Sequence, residues 1–592
     1  MKRRWRNMDK SLKRLWLYLK PYKVKVIISF VLMVITVAMI ALSPLVEGFV
    51  TTQLLSDVKD MNAGLIDHVQ FDIIFRLLVI LLIIYLTNTV SKLIMQYLMS
   101  DAIQSAAFDL RQDVKYKMNV LPISYYDKHT AGDLMSRVST DVEVISNALQ
   151  QSFATIIQSI LLLVIAISMM FYIDFKMALI GFSILPLSFI ASRFIIQKSQ
   201  VLFNETQDSL ANLNSVVQEK FTGFNEIKLY NYQAEAYEDF YDAAYKLSEV
   251  GFKANFISGL MGPTVSTLTY LAIALSIFIG AKNVMLGVLT IGNLQAFIRY
   301  IWQVNQPLSQ MTQLSTAIQA SFAAMDRVFD FLDEDERPSD LLEPVTIEEF
   351  EGAVEFDDVS FGYDENLVLK NLSVSIDPGQ MVAIVGPTGA GKTTIINLLM
   401  RFYDVKSGSI KIDGVDIRDM RRDDLRSLFG MVLQDTWLFS GKIKDNIAYG
   451  KQDATMPEII EAAKKANVHH FIKTLPDGYN MVLNEESSNI SNGEKQLLTI
   501  ARAILSDPKI LILDEATSSV DTRLDAMIQE AMANLMQGRT SFVIAHRLTT
   551  IQNADLILVV KDGNIIEKGN HESLLSENGF YADLYNSQFA SD

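Results

Sequence analysis

The 592-residue chain has no cysteine, which excludes disulfides, thiolate metal sites, iron-sulfur clusters and cysteine nucleophiles together. Charge is also scarce: Asp, Glu, Lys and Arg make up 20% of the residues while half are hydrophobic. A mean hydropathy of +0.21 is too apolar for a disordered chain and high for a soluble enzyme, so a membrane protein is the expectation. Positive charge is in deficit, with 52 Lys and Arg against 68 Asp and Glu and a net charge of −16, which argues against nucleic acid as a partner. At roughly 150 residues per domain, one core cannot account for the length.

What positive charge there is sits in particular places. Ten Lys or Arg occur in residues 1–25 against Asp9 alone, immediately before an apolar run, and the positive-inside rule puts this end in the cytoplasm. The run from about Val26 to Val46 is long enough to span a bilayer and too long for a secretory signal. Further spans are expected at about Ile73–Met99, Ala148–Tyr172, Phe175–Ile196, Phe256–Ala281 and Val288–Leu308, six in all, which returns the rest of the chain to the cytoplasm. The segments after spans two and four are about 48 and about 59 residues long, polar and poor in helix breakers. Structureless loops of that length are improbable, so the spanning helices are expected to continue into the cytoplasm as hairpins, with tips near 124–133 and 223–234.

The helical pattern ends near Phe331 at the acidic, Pro-containing stretch DEDERPSDLLEP. From Ala353, short β-branched runs (VAIVG, SIKIDG, ILILD, SFVIAH, LILVV) alternate with helical patterns, as in an α/β domain with a largely parallel sheet. The expected fold is therefore a multi-domain membrane protein. It has a cytoplasmic basic segment (1–25), an all-α six-helix transmembrane domain with long cytoplasmic helical extensions (26–331), a linker (332–352) and an α/β domain (353–592) that its GPTGAGKTT run, a phosphate-binding loop, makes a P-loop ATPase cassette.

The run GPTGAGKTT fits GxxxxGK[ST] and follows the strand-like MVAIV and precedes the helical IINLLM. Backbone amides of such a loop and the helix N-terminus cradle phosphates, so Gly386, Pro387, Thr388, Gly389, Ala390, Gly391, Lys392, Thr393 and Thr394 are the candidate ATP-binding residues. Lys392 reaches the β and γ oxygens and Thr393 is the expected Mg²⁺ ligand. ILILDEATSSVD ends a buried strand in two adjacent carboxylates that point opposite ways. Asp514 would hold Mg²⁺ through its waters, and Glu515 would orient the attacking water.

With these motifs in this order the chain resembles the ATP-binding cassette exporters over nearly its whole length. The resemblance implies adenine stacking on Tyr363 in VSFGY, a catalytic and metal-coordinating role for Gln434 in VLQDTWLFSG, and a catalytic switch histidine at His546 in VIAHRL. It also makes SSVD at Ser518–Asp521 the D-loop, and YYDKHTAGDLMSRVSTDV the segment around the first coupling helix. NISNGEKQ takes the signature position, where Ser491 and Gly493 are the residues expected to meet ATP. Importers of this type usually keep membrane and ATPase parts on separate chains.

The signature departs from the family's LSGGQ, reading Ile490, Ser491, Asn492, Gly493, Glu494, and LNEES stands where VGERG is usual. Asn492 adds bulk and Glu494 adds charge where a phosphate approaches. Lys392, Thr393, Gln434, Asp514, Glu515 and His546 are all present. Such an asymmetry resembles one half of a heterodimeric exporter, whose partner subunit carries the intact signature. A homodimer tolerating ISNGE and an ATP-gated regulatory or channel-like protein are the alternatives. The implied partners are a second half-transporter, the lipid bilayer and a small hydrophobic or amphipathic substrate of drug, lipid or peptide type, with ATP and Mg²⁺ as cofactors and the bacterial cytoplasmic membrane as location.

In the sixth span Gln295, Arg299, Gln303, Gln306, Gln310 and Gln313 recur every three or four residues beside Trp302. Facing lipid would be costly, so the stripe faces either a cavity, with Arg299 and Trp302 on the translocation path, or another helix. Glu47 is expected at the outer membrane interface. His469 and His470 have no ligand cluster around them and read as structural.

Overall fold

The computed structural model describes residues 2–338, 340, 343–345, 347, 350–433, 436–484, 489–514, 522–545 and 547–588; side chains at 2–9, 152–154, 184–185, 305–316 and 588 are outside that description. The chain divides into two compact units, residues 1–119 with 131–334, and residues 120–130 with 335–592.

The first unit is helical. Among the described residues five helical stretches are long and apolar enough to cross a membrane: Lys10–Asn62, Phe71–Val120, Ala131–Ile173, Phe175–Thr222 and Gln233–Met285. The helix expected as a sixth span runs 43 residues, Ile291–Asp333, but is not among those five. Its polar stripe is why, and the described part of that stripe is turned against the first spanning helix.

Pro44 sits inside the helix Lys23–Asn62 and cannot donate a backbone N–H, so the carbonyl of Ile40 loses its helical partner. Gln303 Nε2 donates to that oxygen at 3.1 Å, and Tyr300 Oη donates to the next carbonyl, Ala41, at 2.5 Å. Thr51 Oγ1 donates to Gln295 Oε1 at 2.6 Å, about three turns further along the first spanning helix. Backbones meet at the same seam: a Cβ on Gly292 would lie 1.8 Å from the Gly48 carbonyl oxygen, so only glycine fits. Replacing Tyr300 by Phe is expected to cost about 0.6 to 1.7 kcal/mol, the range for interhelical hydrogen bonds in membranes. Thermal unfolding in nanodiscs reads it, and an unchanged midpoint would remove Tyr300 as a stabilising tie at this seam.

Arg299 takes the second of its two sequence readings, facing another helix, where it meets Glu47. Arg299 Nε lies 3.4 Å from Glu47 Oε2, and Tyr85 Oη donates to Glu47 Oε1 at 2.7 Å, so Glu47 ties three helices together. Trp302 packs edge-on against Tyr270 at 5.5 Å.

The basic N-terminal segment forms the helix Lys2–Leu19, fastened to acidic groups of other helices. Ser11 Oγ donates to Asp326 at 2.9 Å, Arg14 pairs with Asp333 at 2.6 Å, and Tyr18 and Tyr22 donate to Asp113 and Asp109. Short helices occupy both expected hairpin tips, Ile123–Lys128 and Phe224–Leu229. The first belongs to the second unit; the second exposes Leu229, Tyr230 and, just before it, Phe221.

In the second unit a six-stranded sheet has the order Asn564–Gly569, Leu556–Lys561, Met381–Val385, Thr540–Ile544, Ile510–Asp514, Phe429–Val432, parallel except at the first pair. Its central strands are buried on both faces, which is why they read as unbroken apolar runs. Alternate residues feed two cores: Ala383, Leu511 and Leu513 pack with the helices Asn492–Ser506 and Thr522–Met536, while Val382, Ile510 and Ile512 pack with Lys392–Leu399 and the antiparallel sheet containing Val354–Phe361.

Chain leading into the cassette is held by buried charge. Arg401 and Arg422, with side chains 6% and 5% exposed, converge on Asp340 and Asp404. Arg422 Nη1 reaches Asp340 at 2.5 Å and the Pro338 carbonyl at 2.9 Å, and Arg401 Nη1 donates to the carbonyls of Ile417 and Met420 at 3.0 and 2.9 Å.

Candidate functional site

Strand register assembles the site. Ile544 pairs with both Ile384 and Asp514, so the carboxyl ends of three neighbouring parallel strands come out at one edge. That edge is where ligands bind in open α/β sheets. The strand Met381–Val385 leads there into the glycine-rich loop, and Asp514 ends its strand beside it. Glu515 and Ser518–Asp521, which follow, lie outside the described residues, as do Gln434 and His546. The described residues adjoining His546 are Ala545, at the same edge, and Arg547, whose guanidinium makes a two-pronged pair with Asp525 at 2.6 and 2.7 Å.

A cleft of about 390 Å³ is lined by Thr388, Gly389, Ala390, Gly391, Lys392, Thr393, Thr394, Asp514, Val368 and Ile544. The sequence-derived phosphate loop and the first motif carboxylate thus share one space. Gly386 opens the loop at φ +154°, where a Cβ would lie 2.1 Å from the Val560 carbonyl oxygen, so glycine is required. Gly391 caps the helix Lys392–Leu399, whose free N–H groups point into the cleft end of the loop. Lys392 Nζ donates to the carbonyls of Gly386 at 2.6 Å and Pro387 at 3.1 Å, holding the loop in the curve that a phosphate chain fills. Burial lowers the Lys392 pKa from the ordinary lysine value, while Asp514 pulls it up.

Tyr363 lies at the same helix: its hydroxyl is 3.3 Å from Thr394 Oγ1 and accepts from Asn397 Nδ2 at 3.3 Å. Its ring is edge-on to Tyr403 at 5.0 Å. Sequence reasoning missed Tyr403, whose hydroxyl donates to Asp127 in the tip helix Ile123–Lys128. Burial, and then this carboxylate, push the Tyr403 hydroxyl pKa up. A continuous line of side chains therefore runs from Thr394 through Tyr363 and Tyr403 to Asp127.

Ser491 and Gly493 are not lining residues of the cleft; they start the helix Asn492–Ser506. Ser491 Oγ accepts from the Glu494 N–H at 3.4 Å, and Glu494 Oε2 accepts from the Ser491 N–H at 2.8 Å. This is a capping box, legible in the sequence as Ser-x-x-Glu and overlooked there. His469 Nδ1 bonds Tyr479 Oη at 2.7 Å, a packing role, and among the described residues no three His, Asp or Glu cluster as a metal site.

Comparison with known families agrees with this geometry. The ABC transporter transmembrane region matches residues 26–308, and the ABC transporter ATPase model matches residues 369–518. The chain belongs to the ABC transporters. It is 45% identical over 89% of its length to the fatty acid ABC transporter ATP-binding/permease protein of Mycobacterium bovis, covering 83% of that protein. It is also 35% identical to the ATP-dependent lipid A-core flippase of Syntrophus aciditrophicus, over 98% of this chain and 95% of that one. A putative multidrug export ATP-binding/permease protein of Bacillus subtilis is 34% identical over 98% and 99% of the two chains. This ABC transporter is thus an exporter-type half-transporter of the membrane: one transmembrane domain fused to one ATPase cassette that binds ATP and couples its hydrolysis to transport, and half-transporters work as dimers.

Proposed function

We propose that this chain is the hydrolytic half of a heterodimeric exporter that moves hydrophobic or amphipathic substrates out of a bacterial cytoplasm. The cleft that brings Lys392, Thr393 and Asp514 together carries the hydrolytic part of the reading. Its hydroxyl and carboxylate are hard oxygen donors and fit Mg²⁺, with Gln434 as a further ligand from outside the described residues. Bound there, Mg²⁺ would neutralise charge on the β and γ phosphates. Lys392 and the loop amides hold the phosphates, Tyr363 offers its face to adenine, Glu515 orients the attacking water and His546 steadies the γ-phosphate end.

The capping box supports the asymmetric pairing. A signature helix attracts the phosphate held by the opposite subunit through its free N-terminal amides and positive end. Here the Glu494 carboxylate occupies that end and the Ser491 N–H is already bonded, so the helix has less to offer an anion. The exposed Phe221, Leu229 and Tyr230 at the second tip form the apolar surface a second cassette would cover. The line from Tyr363 to Asp127 supports coupling of nucleotide state to the first tip.

Basic residues at 1–25 support a cytoplasmic N-terminus. The relatives named for fatty acid, lipid A-core and multidrug export support an amphipathic cargo. ATPase activity of the purified chain in lipid, alone and with a signature-intact partner subunit, tests the pairing. Turnover is expected to rise at least tenfold with the partner; full turnover by a dimer of this chain alone would overturn the heterodimer.

A further inference from the structure

A cavity of about 610 Å³ opens between the first, second, third and sixth long helices, within the range of sites that hold a small ligand. Its second-helix wall is a stripe at helical spacing: Lys92, Met95, Gln96, Met99 and Ser100. Opposite stand Gln150 and Gln151 on the π-helical turn Leu149–Phe153, a rare conformation that recurs at functional sites. Gln150 Nε2 donates to Ser100 Oγ at 2.8 Å, so the turn is pinned to the stripe. Gln303 reaches in from the polar stripe of Ile291–Asp333, and its buried Oε1 has no hydrogen-bond partner among the described residues.

Among the described residues, Lys92 is the only charged one on this wall, and no carboxylate lines the cavity. Among the described residues it has no acidic partner, unlike Lys25, paired with Asp101, and Arg299, paired with Glu47. At 1.5 Å per residue, Lys92 lies about 32 Å along the helix from Phe71, roughly one hydrocarbon thickness, at the headgroup level of the opposite leaflet.

We propose that this cavity binds the headgroup of an anionic amphiphile entering from the inner leaflet. Lys92 takes the acid, the carboxamides bond the rest of the headgroup, and the chain lies along Met33, Ile40 and Leu162, which line the cavity level with Lys92 and on its bilayer side. The site deepens the export reading and rests on it for the claim that the ligand is cargo.

Equilibrium binding of radiolabelled palmitate, hexadecanol and hexadecylamine to the full chain in nanodiscs, without nucleotide and against empty nanodiscs, tests it. The native chain is expected to prefer palmitate at least tenfold over hexadecanol. Lys92→Gln should abolish that preference, Lys92→Arg should keep it, and Lys92→Glu should turn it toward hexadecylamine. Equal binding of palmitate and hexadecanol, or a preference that survives Lys92→Gln, overturns the site. A lysophosphatidic acid arm separates carboxylate from phosphate headgroups; whichever binds tighter names the head. Glu515-dependent ATPase, measured on the same chain after adding a signature-intact partner subunit, keeps the readings apart. If it persists without charge-selective binding, the site fails and the exporter stands; if it is absent with selective binding intact, the site stands and the export reading fails.

Discussion

Glu515→Gln is expected to keep ATP binding and lose hydrolysis about 100- to 1000-fold, the scale on which one positioned polar group acts in a transition state. The amide is isosteric with the carboxylate but cannot polarise water in the same way. The phosphate cradle of Lys392, Thr393 and the loop amides does not depend on it, so nucleotide affinity should stay within about threefold, near 0.6 kcal/mol. Binding of a fluorescent ATP analogue and phosphate release, both measured with the partner subunit present, separate the two effects. Phosphoryl transfer depends on orientation and electrostatics, which is why one atom exchange can be so costly. Near-normal turnover would remove Glu515 from the mechanism.

Arg401→Ala should destabilise the cassette by about 3 kcal/mol, since removing one partner of a buried ionic network leaves the others uncompensated. Asp404 and Asp340 would lose a shared counter-charge, and the carbonyls of Ile417 and Met420 would lose their donor. Arg401 has φ +49°, and alanine carries the same backbone penalty, so the change reports the side chain. The full chain in nanodiscs should show its cassette transition lowered by roughly 6 to 12 °C. Arg418→Ala is the control: that side chain is 43% exposed and pairs with Asp416 at the surface, where about 1 kcal/mol or less is expected. Equal effects of the two substitutions would show that the Asp340 network adds nothing beyond an ordinary surface pair.

The ATPase half was readable because its signals are local. The phosphate loop needs its glycines, lysine and threonine in one contiguous run, and a strand buried on both faces must be an unbroken apolar run, so Gly386–Thr394 and ILILD announce themselves. Membrane spans are legible for the same reason, since a continuous apolar run is what the bilayer demands. The Ser491–Glu494 capping box was equally local, and the signature comparison drew attention away from it. The sixth long helix was expected too, but the partners of its polar stripe were not legible, because those residues answer to other helices rather than to lipid.

By itself, then, the sequence determined a membrane domain joined to a nucleotide-binding cassette, together with the phosphate loop and strand-end carboxylate. Each of these is encoded in neighbouring residues whose backbone amides or apolar faces act together. Only the tertiary structure decided which distant groups meet. Gln303 serves the carbonyl orphaned by Pro44, Glu47 joins Arg299 and Tyr85, Tyr403 links Tyr363 to Asp127, and Lys92 faces a carboxamide-lined cavity. Periodicity shows which side of a helix is polar, but the partner on that side is chosen by packing between segments up to hundreds of residues apart, where an unpaired buried group would cost too much to leave unmet.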